Sequence, residues 1–474
     1  MWYNLRPILL RETNVNKGKL ILLNPPGDKL YVRDYYCSFS SKADYCWPPQ
    51  DLLYLSGILD EDFKVEVIDA IIEKKSPEDV LSALSDDSVR GVIFTTGTAT
   101  LKSDLQLMER FKRDHDIPVI ASAGIMPFIG QELLDSYPFI DGILLDFTEK
   151  DIAAYFKGER SKPLRGMVYR GEGGEIASDV KASRDYSVPV PRHDLFPLGK
   201  YRIPLAKRHP FAEVVTSLGC PYSCAFCTAG AYGYRTRDVE GVVEELKMLS
   251  GMGVKELLFQ DPTFTINTER VKAICRGITD NGLDFTWSCN GDIKALDEEK
   301  IKHMRAAGCH TISVGIESGS DEILKKYSKP ITVESIKAGV ALMNRYRIRV
   351  LGYFIVGLPG DDRESILKTI DLARRLNLDY ASFAIATPDI GTRLRAEALE
   401  QGWISSDDNV FDSTDFPILE TDQLSREEVW ALRKAAVRKF YLRPSYLMKK
   451  VGQLRSWRDI RSAASNALSL FRKS

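Results

Sequence analysis

Much of what the chain is follows from what it lacks. No window reaches about 18 uninterrupted apolar residues, so no transmembrane span is expected. The start, Met1-Trp2-Tyr3-Asn4-Leu5-Arg6-Pro7, carries no apolar stretch ending in a small-residue cleavage site, so no secretory leader is expected. There are 8 cysteines in 474 residues, too few for a secreted disulfide scaffold, and the thiols are expected to be reduced in a cytoplasmic setting. The formal net charge of −1 removes any global attraction to nucleic acid. Histidine is scarce, with His115 the one example before residue 159.

What is present is ordinary globular material with one unusual loop. Apolar residues make up 44% and charged residues 28%, enough to build real cores, and the length leaves room for two or three domains. The loop is Gly219-Cys220-Pro221-Tyr222-Ser223-Cys224-Ala225-Phe226-Cys227, a C-x3-C-x2-C run close behind the strand-like Ala212–Ser217. Three thiolates on one short loop can hold three corners of a [4Fe–4S] cluster and leave the fourth iron open. An open coordination site is what lets a metal engage a substrate. A structural zinc would want a fourth ligand from a second Cys/His pair. Cys275, Cys289, Cys309 and His310 are not spaced as one. The spacing resembles that of radical SAM enzymes, in which the open iron takes S-adenosylmethionine.

Residues 1–158 alternate strand and helix patterns. Strands are expected at Leu20–Leu23, Val65–Ile68, Val92–Phe94, Pro118–Ile120 and Ile143–Leu145. Helices are expected at 51–59, 77–84, 101–113, 131–134 and 150–156. Five such units imply an α/β fold with a doubly wound, flavodoxin-like parallel sheet. Ligands in these sheets lie at the carboxyl ends of the strands. The loops there are Asn24-Pro25-Pro26-Gly27-Asp28, Thr95-Thr96-Gly97-Thr98 and Ala123-Gly124-Ile125, which serve a ligand or are simply tight turns.

Residues 159–205 read as a polar, turn-dense linker with a short hairpin around Met167–Ile176. Residues 206–400 return to alternation, with strands expected at Glu213–Ser217, Glu256–Phe259, Phe285–Cys289, Thr311–Ile316, Val350–Val356 and Tyr380–Ile385. Six parallel units without a closing pair suggest a partial (β/α)6 barrel, whose active site lies at the carboxyl ends of its strands. The chemistry-bearing residues fall there. The cysteines follow the first strand and Asp261-Pro262 the second. Ser288 and Asn290 flank the end of the third. Glu317-Ser318 closes the fourth, and Gly357-Leu358-Pro359-Gly360 follows the fifth. Asp261 suits a methionine ammonium, Asn290 and Glu317 suit ribose hydroxyls, and Gly357 and Gly360 suit close backbone approach to adenine.

Residues 401–474 form a helical, basic extension. From Thr421 onward there are 13 Lys+Arg against 4 Asp+Glu. Trp457, Ile460, Ala464, Leu468 and Phe471 share one helix face. Such a helix lies on an anionic membrane surface, giving peripheral contact at the inner face, or packs on the barrel.

Across nearly the whole chain the sequence resembles the cobalamin-binding-domain radical SAM superfamily. That group includes cobalamin-dependent methyltransferases and the anaerobic magnesium-protoporphyrin cyclase. The matching segments are Asn24-Pro25-Pro26, Pro48–Leu55, Pro189–Leu195, the cysteine loop and Asp261-Pro262-Thr263-Phe264. Ala307-Gly308-Cys309, Gly315–Gly319, Gly391–Leu394 and Phe440–Pro444 complete the set. The resemblance implies contacts to S-adenosylmethionine from Phe226, Asp261, Pro262, Ser288, Asn290, Glu317, Ser318, Gly357 and Leu358. It implies contacts to cobalamin from Asn24, Pro25, Thr96, Gly97 and Gly124. Two stretches depart from the group's pattern. Ala123-Gly124-Ile125-Met126 stands where Gly-Gly-x-His is usual, and Asp146-Phe147-Thr148-Glu149 where Gly-Glu-Gly-Glu is usual. No Asp-x-His-x-x-Gly is present, so no histidine is expected beneath the cobalt.

The implied activity is reductive cleavage of S-adenosylmethionine to a 5′-deoxyadenosyl radical acting on an unactivated carbon. C-methylation of a lipid or tetrapyrrole is the expected outcome, with a flavodoxin- or ferredoxin-type reductant as partner. The alternative is cyclisation, oxidation or carbon–carbon coupling with a first domain that does not use cobalamin. A methylthio-transferring tRNA modifier would need a second cysteine triad near the start, where only Cys37 and Cys46 occur.

Overall fold

The computed structural model describes residues 18–41, 45–160, 163–171, 176–178, 185–405 and 416–451. The amphipathic basic stretch 455–474 lies outside the described residues. The first sheet contains β1 (Lys19–Asn24), β4 (Lys64–Asp69), β5 (Val89–Thr95), β6 (Val119–Ser122) and β7 (Gly142–Leu144), all paired in parallel. Between β1 and β4 lies a hairpin of β2 (Tyr31–Asp34) and β3 (Cys37–Ser40). β8 (Met167–Arg170) and β9 (Ile176–Ser178) add antiparallel to the β7 edge, giving the order β4-β1-β5-β6-β7-β8-β9. The hairpin expected in the linker therefore exists, but it continues the first sheet. The chain leaves β1 for β4 on one side and returns to β5 on the other. The crevice at the carboxyl ends of β1 and β5 is thus the switch point at which such sheets take ligands.

Downstream come β10 (Asp185–Tyr186), β11 (Phe211–Val214), β12 (Ser217–Leu218), β13 (Arg235–Arg237) and β14 (Glu256–Phe259). They are followed by β15 (Thr286–Gly291), β16 (Cys309–Glu317), β17 (Arg349–Val356) and β18 (Tyr380–Ile385). The second main sheet runs β11-β14-β15-β16-β17-β18, parallel throughout and unclosed, as the partial barrel requires. β10, β13 and β12 form a small third sheet beside the cysteine loop. The fold class read from the sequence is the one observed.

Local chemistry sets the helix starts. Ser76 with Asp79, Thr332 with Ser335, Asp362 with Ser365 and Ser425 with Glu428 each satisfy the first free N–H groups reciprocally. Helix Gln50–Asp60 is buried almost all round, because it is sandwiched between the first sheet and the barrel. Its Tyr54 hydroxyl accepts from the Val215 N–H at 2.8 Å and donates to the Val215 carbonyl at 2.9 Å. The barrel core is filled by apolar side chains, with Phe259, Phe264 and Trp287 in mutual ring contact at 4.8–5.6 Å. Helix Arg426–Tyr441 covers β18. Its Tyr441 hydroxyl accepts from the Ala381 N–H at 3.2 Å and donates to the Ala381 carbonyl at 2.8 Å.

Candidate functional site

The cysteine loop leaves β12 through Gly219, whose φ of +67° and tight packing against Gly233 exclude any side chain. Four residues from elsewhere in the chain pin the loop. The Ala225 N–H donates to the Tyr327 carbonyl at 3.0 Å, and the Leu394 N–H donates to the Ala225 carbonyl at 2.9 Å. Arg393 donates to the Ser223 carbonyl at 2.7 Å and to the Ser328 hydroxyl at 3.0 Å. The Gly219 N–H donates to the Tyr36 hydroxyl at 2.8 Å. Desolvation raises the thiols of Cys220, Cys224 and Cys227, the last two to about 11. Cys227 nevertheless keeps part of its surface in solvent. Free, these thiols hold their protons, and binding iron would release them.

Around the loop the strand ends bring together Asp292, Glu317 and Lys329, each of which acts electrostatically on Cys224. Glu317 ends β16 with φ +63°, a conformation costly for a residue with a Cβ and one that concentrates at functional sites. It accepts from the Lys329 ammonium at 3.1 Å, and both side chains are nearly buried. Burial works against the charge on Lys329, but Glu317 first, then Cys224 and Asp292, hold it above the ordinary lysine range. Sequence reasoning missed Lys329. Its only local signal is a lysine before Pro330 in a loop that topology folds back against the cysteines.

The other candidates divide. The Ser288 hydroxyl, within β15, and the Thr263 hydroxyl, in the loop after β14, are buried with no hydrogen-bond partner among the described residues, as groups awaiting a ligand would be. Asn290 holds the turn after β14, donating to the Asp261 carbonyl at 3.0 Å and accepting from the Phe264 N–H. Ser318 contacts the Thr369 hydroxyl at 3.3 Å and accepts from the Ser320 N–H. Phe226 rests 6.1 Å from the Tyr327 ring, and Leu358 is buried with its N–H donating to Asp361. Pro262 is half-buried beside Asp261.

Two roles read from the sequence need correction. The Asp261 carboxylate is buried and engaged inside the protein. It accepts from the Thr216 N–H and hydroxyl at 2.6 Å each and from the Ser217 hydroxyl at 2.7 Å. It therefore positions the strand end that launches the cysteine loop. The side of Gly357 where a Cβ would stand is filled by Val429, so the absence of a side chain there accommodates helix Arg426–Tyr441.

On the first domain, a narrow cleft with about 20 Å³ of enclosed space separates the strand ends from the barrel. Tyr36, Thr96, Gly124, Thr228, Tyr232 and Asp389 line it. Burial pushes Asp389 up to about 7. Tyr35, Tyr36 and Tyr232 are in mutual ring contact at 5.2–5.4 Å, and the Tyr232 hydroxyl donates to the Gly124 carbonyl. Of the five cobalamin candidates, Thr96, Gly97 and Gly124 line this cleft and Asn24 and Pro25 do not, and all five are in contact with, or bonded to a partner of, the β2–β3 hairpin. Arg33 donates to the Asn24 side chain at 2.6 Å, the Pro25 carbonyl at 3.0 Å and Asp104 at 2.8 Å. Thr96 donates to Asp104 as well, at 2.7 Å. A Cβ on Gly97 would strike Ser38, and one on Gly124 would strike the Tyr35 carbonyl.

Residues 214–373 match the model of the radical SAM superfamily. The uncharacterized methyltransferase PH0819 of Pyrococcus horikoshii is 32% identical over 448 residues, covering 91% of this chain and 94% of that protein. The anaerobic magnesium-protoporphyrin IX monomethyl ester cyclase of Rubrivivax gelatinosus is 25% identical over 443 residues, covering 88% of this chain and 78% of that one. The solved structure of OxsB, a cobalamin-dependent S-adenosylmethionine radical enzyme with aqua-cobalamin and S-adenosylmethionine bound, superposes with a TM-score of 0.69 at 17% identity. It covers 96% of this chain and 72% of that one.

Proposed function

The chain belongs to the radical SAM superfamily, and from that premise we propose that it is an enzyme that cleaves S-adenosylmethionine reductively and modifies an unactivated carbon. The observation that carries this is the loop of Cys220, Cys224 and Cys227, clamped at the carboxyl end of the barrel beside Glu317 and Lys329. The donor set fits a [4Fe–4S] cluster with one open iron. When bound, a reduced cluster supplies the electron that splits S-adenosylmethionine into methionine and a 5′-deoxyadenosyl radical.

The protein's own groups do the rest. Lys329 offers its ammonium to the methionyl carboxylate, and Glu317 turns from Lys329 toward the ligand's ammonium or ribose hydroxyls. Ser288 and Thr263, buried without partners among the described residues, are further donors for the ligand. Helix Arg426–Tyr441 and the first domain wall the barrel from opposite sides and keep bulk water from the radical.

The names of the relatives, a methyltransferase and a tetrapyrrole cyclase, support methylation of carbon in a hydrophobic substrate of the lipid or tetrapyrrole class. A small flavodoxin- or ferredoxin-type protein as reductant is part of the same proposal. Cobalamin is supported by the fold shared with OxsB. The residues of this chain do not fit it as folded, because the strand-end face is already covered by the β2–β3 hairpin. No step is therefore routed through a corrin. That same observation favours a second outcome, cyclisation, oxidation or coupling without cobalamin. No helix among the described residues is long and apolar enough to cross a membrane. Contact of the basic tail with an anionic surface remains part of the proposal.

The test is anaerobic reconstitution with iron and sulfide, then reduction with dithionite in the presence of S-adenosylmethionine. Formation of 5′-deoxyadenosine and methionine, with a broad iron–sulfur absorption band, is expected. A reconstituted protein that takes up iron but yields neither product overturns the reading.

A further inference from the structure

We propose that in this chain the β2–β3 hairpin is a built-in occupant of the corrin face, so that the first domain closes the barrel mouth without holding cobalamin. The inference rests on the radical SAM reading above and narrows its cofactor set.

Arg33 anchors the hairpin. Its side chain has no exposure, nor has that of its partner Asp104, and the pair is 2.8 Å apart. The guanidinium also donates to Asn24, the Pro25 carbonyl and, at 3.0 Å, the Thr100 hydroxyl. Asp104 collects the Thr96 and Thr100 hydroxyls on its second oxygen. A buried, fully bonded guanidinium is expensive to expose, since both charges would lose their partners. The base of the hairpin is therefore locked into the switch-point crevice between β1 and β5.

The tip is fixed as firmly from the other side. Asp34 accepts from the Gln260 side chain at 2.6 Å and from the Trp47 indole at 3.1 Å. The Tyr35 hydroxyl donates to the Leu145 carbonyl at 3.1 Å, and Tyr36 bonds the cysteine loop. Backbone of the tip lies directly on Gly124, and Ser38 lies on Gly97. These glycines do provide the close approach that a strand-end ligand needs, but the approaching group is the chain's own hairpin. The enclosed space left over is only about 20 Å³, far below what a drug-sized ligand occupies, and a corrinoid is larger still.

The test uses the full chain, reconstituted anaerobically with its cluster, incubated with hydroxocobalamin and desalted. The eluted protein is expected to show cluster absorption without a stoichiometric corrin spectrum. Its rate of 5′-deoxyadenosine formation should be unchanged by hydroxocobalamin. Backbone amides of residues 31–40 should exchange hydrogen at the same slow rate with and without the corrinoid. One corrin retained per chain, or hairpin amides that open on its addition, overturns the proposal. Formation of 5′-deoxyadenosine in the same samples reports separately on the radical SAM reading. Loss of that product would sink the reading while leaving the corrin result to be read on its own.

Discussion

Asp261 holds Thr216 by two hydrogen bonds of 2.6 Å, one from its backbone N–H and one from its hydroxyl, 45 residues away in sequence. The bond pair ties the end of β14 to the strand end from which the cysteine loop departs. Asp261→Asn keeps the shape but replaces one acceptor oxygen with a donor that faces the hydroxyls of Thr216 and Ser217. A loss of about 1.5–3 kcal/mol is expected from the charged hydrogen bonds. It should appear as a lower unfolding temperature together with lower iron content after reconstitution. Full iron content with weakened S-adenosylmethionine binding would instead place Asp261 at the ligand.

The three loop cysteines should behave alike. Cys220→Ala, Cys224→Ala and Cys227→Ala are each expected to abolish the cluster band and 5′-deoxyadenosine formation. Cys275 is buried in helix Thr268–Asp280, away from the strand ends. Cys275→Ala should keep full iron and cleavage, at a modest cost in stability. Iron retained by any one of the loop variants at the level of the parent would count against the cluster assignment.

Lys329→Met removes the cation that pairs with Glu317. S-adenosylmethionine should bind about tenfold or more weakly, the equivalent of one lost charge-assisted contact. The cluster spectrum should be unchanged, and Lys329→Arg should recover much of the affinity. An unaltered dissociation constant, read by equilibrium dialysis of the reconstituted protein, would remove Lys329 from the site.

Glu213 on β11 makes a prediction about pH. The side chain is fully buried, with only the Gln50 side chain, among the described residues, near enough to ease its charge. Burial first, then Asp34, lifts its carboxyl well above the usual range, so the folded protein holds the proton. Above the ordinary glutamate value the unfolded chain loses that proton and the folded chain does not. Stability therefore falls as pH rises through this window, by up to about 1.4 kcal/mol per pH unit. Glu213→Gln removes the titration. The stability gap between variant and parent, from urea midpoints, should widen in favour of the variant from about pH 6 to about pH 8. A gap that stays constant would mean that Glu213 is not the group responsible.

The strands were legible wherever burial on both faces demands continuous apolar runs, as in Leu20–Leu23 and Val92–Phe94. The site was legible where residue type is tied to chemistry, which is why the cysteines stand out in the bare sequence. Orientation was not legible. Asp261 lies at the strand end where it was expected, yet its carboxylate faces back into the protein. Gly357 has the positive φ of a ligand-facing glycine, yet Val429 fills its open side. The β2–β3 hairpin escaped because its turn is Tyr35-Tyr36, with none of the Gly, Asn or Asp that usually mark two-residue turns. Lys329 pairs with Glu317 across an intervening helix, and no local pattern records that contact.

The bond pair between Tyr441 and Ala381 bears on how the chain can be cut. An unclosed sheet ends in a strand whose outward N–H and C=O groups can recruit strands from other molecules. On β18 one phenol satisfies a donor and an acceptor of the same residue, and helix Arg426–Tyr441 shields the rest of that rim. A piece ending at residue 400, although it would hold every barrel strand, would present this rim bare and should self-associate. The shortest soluble version of the catalytic half must therefore extend through Tyr441.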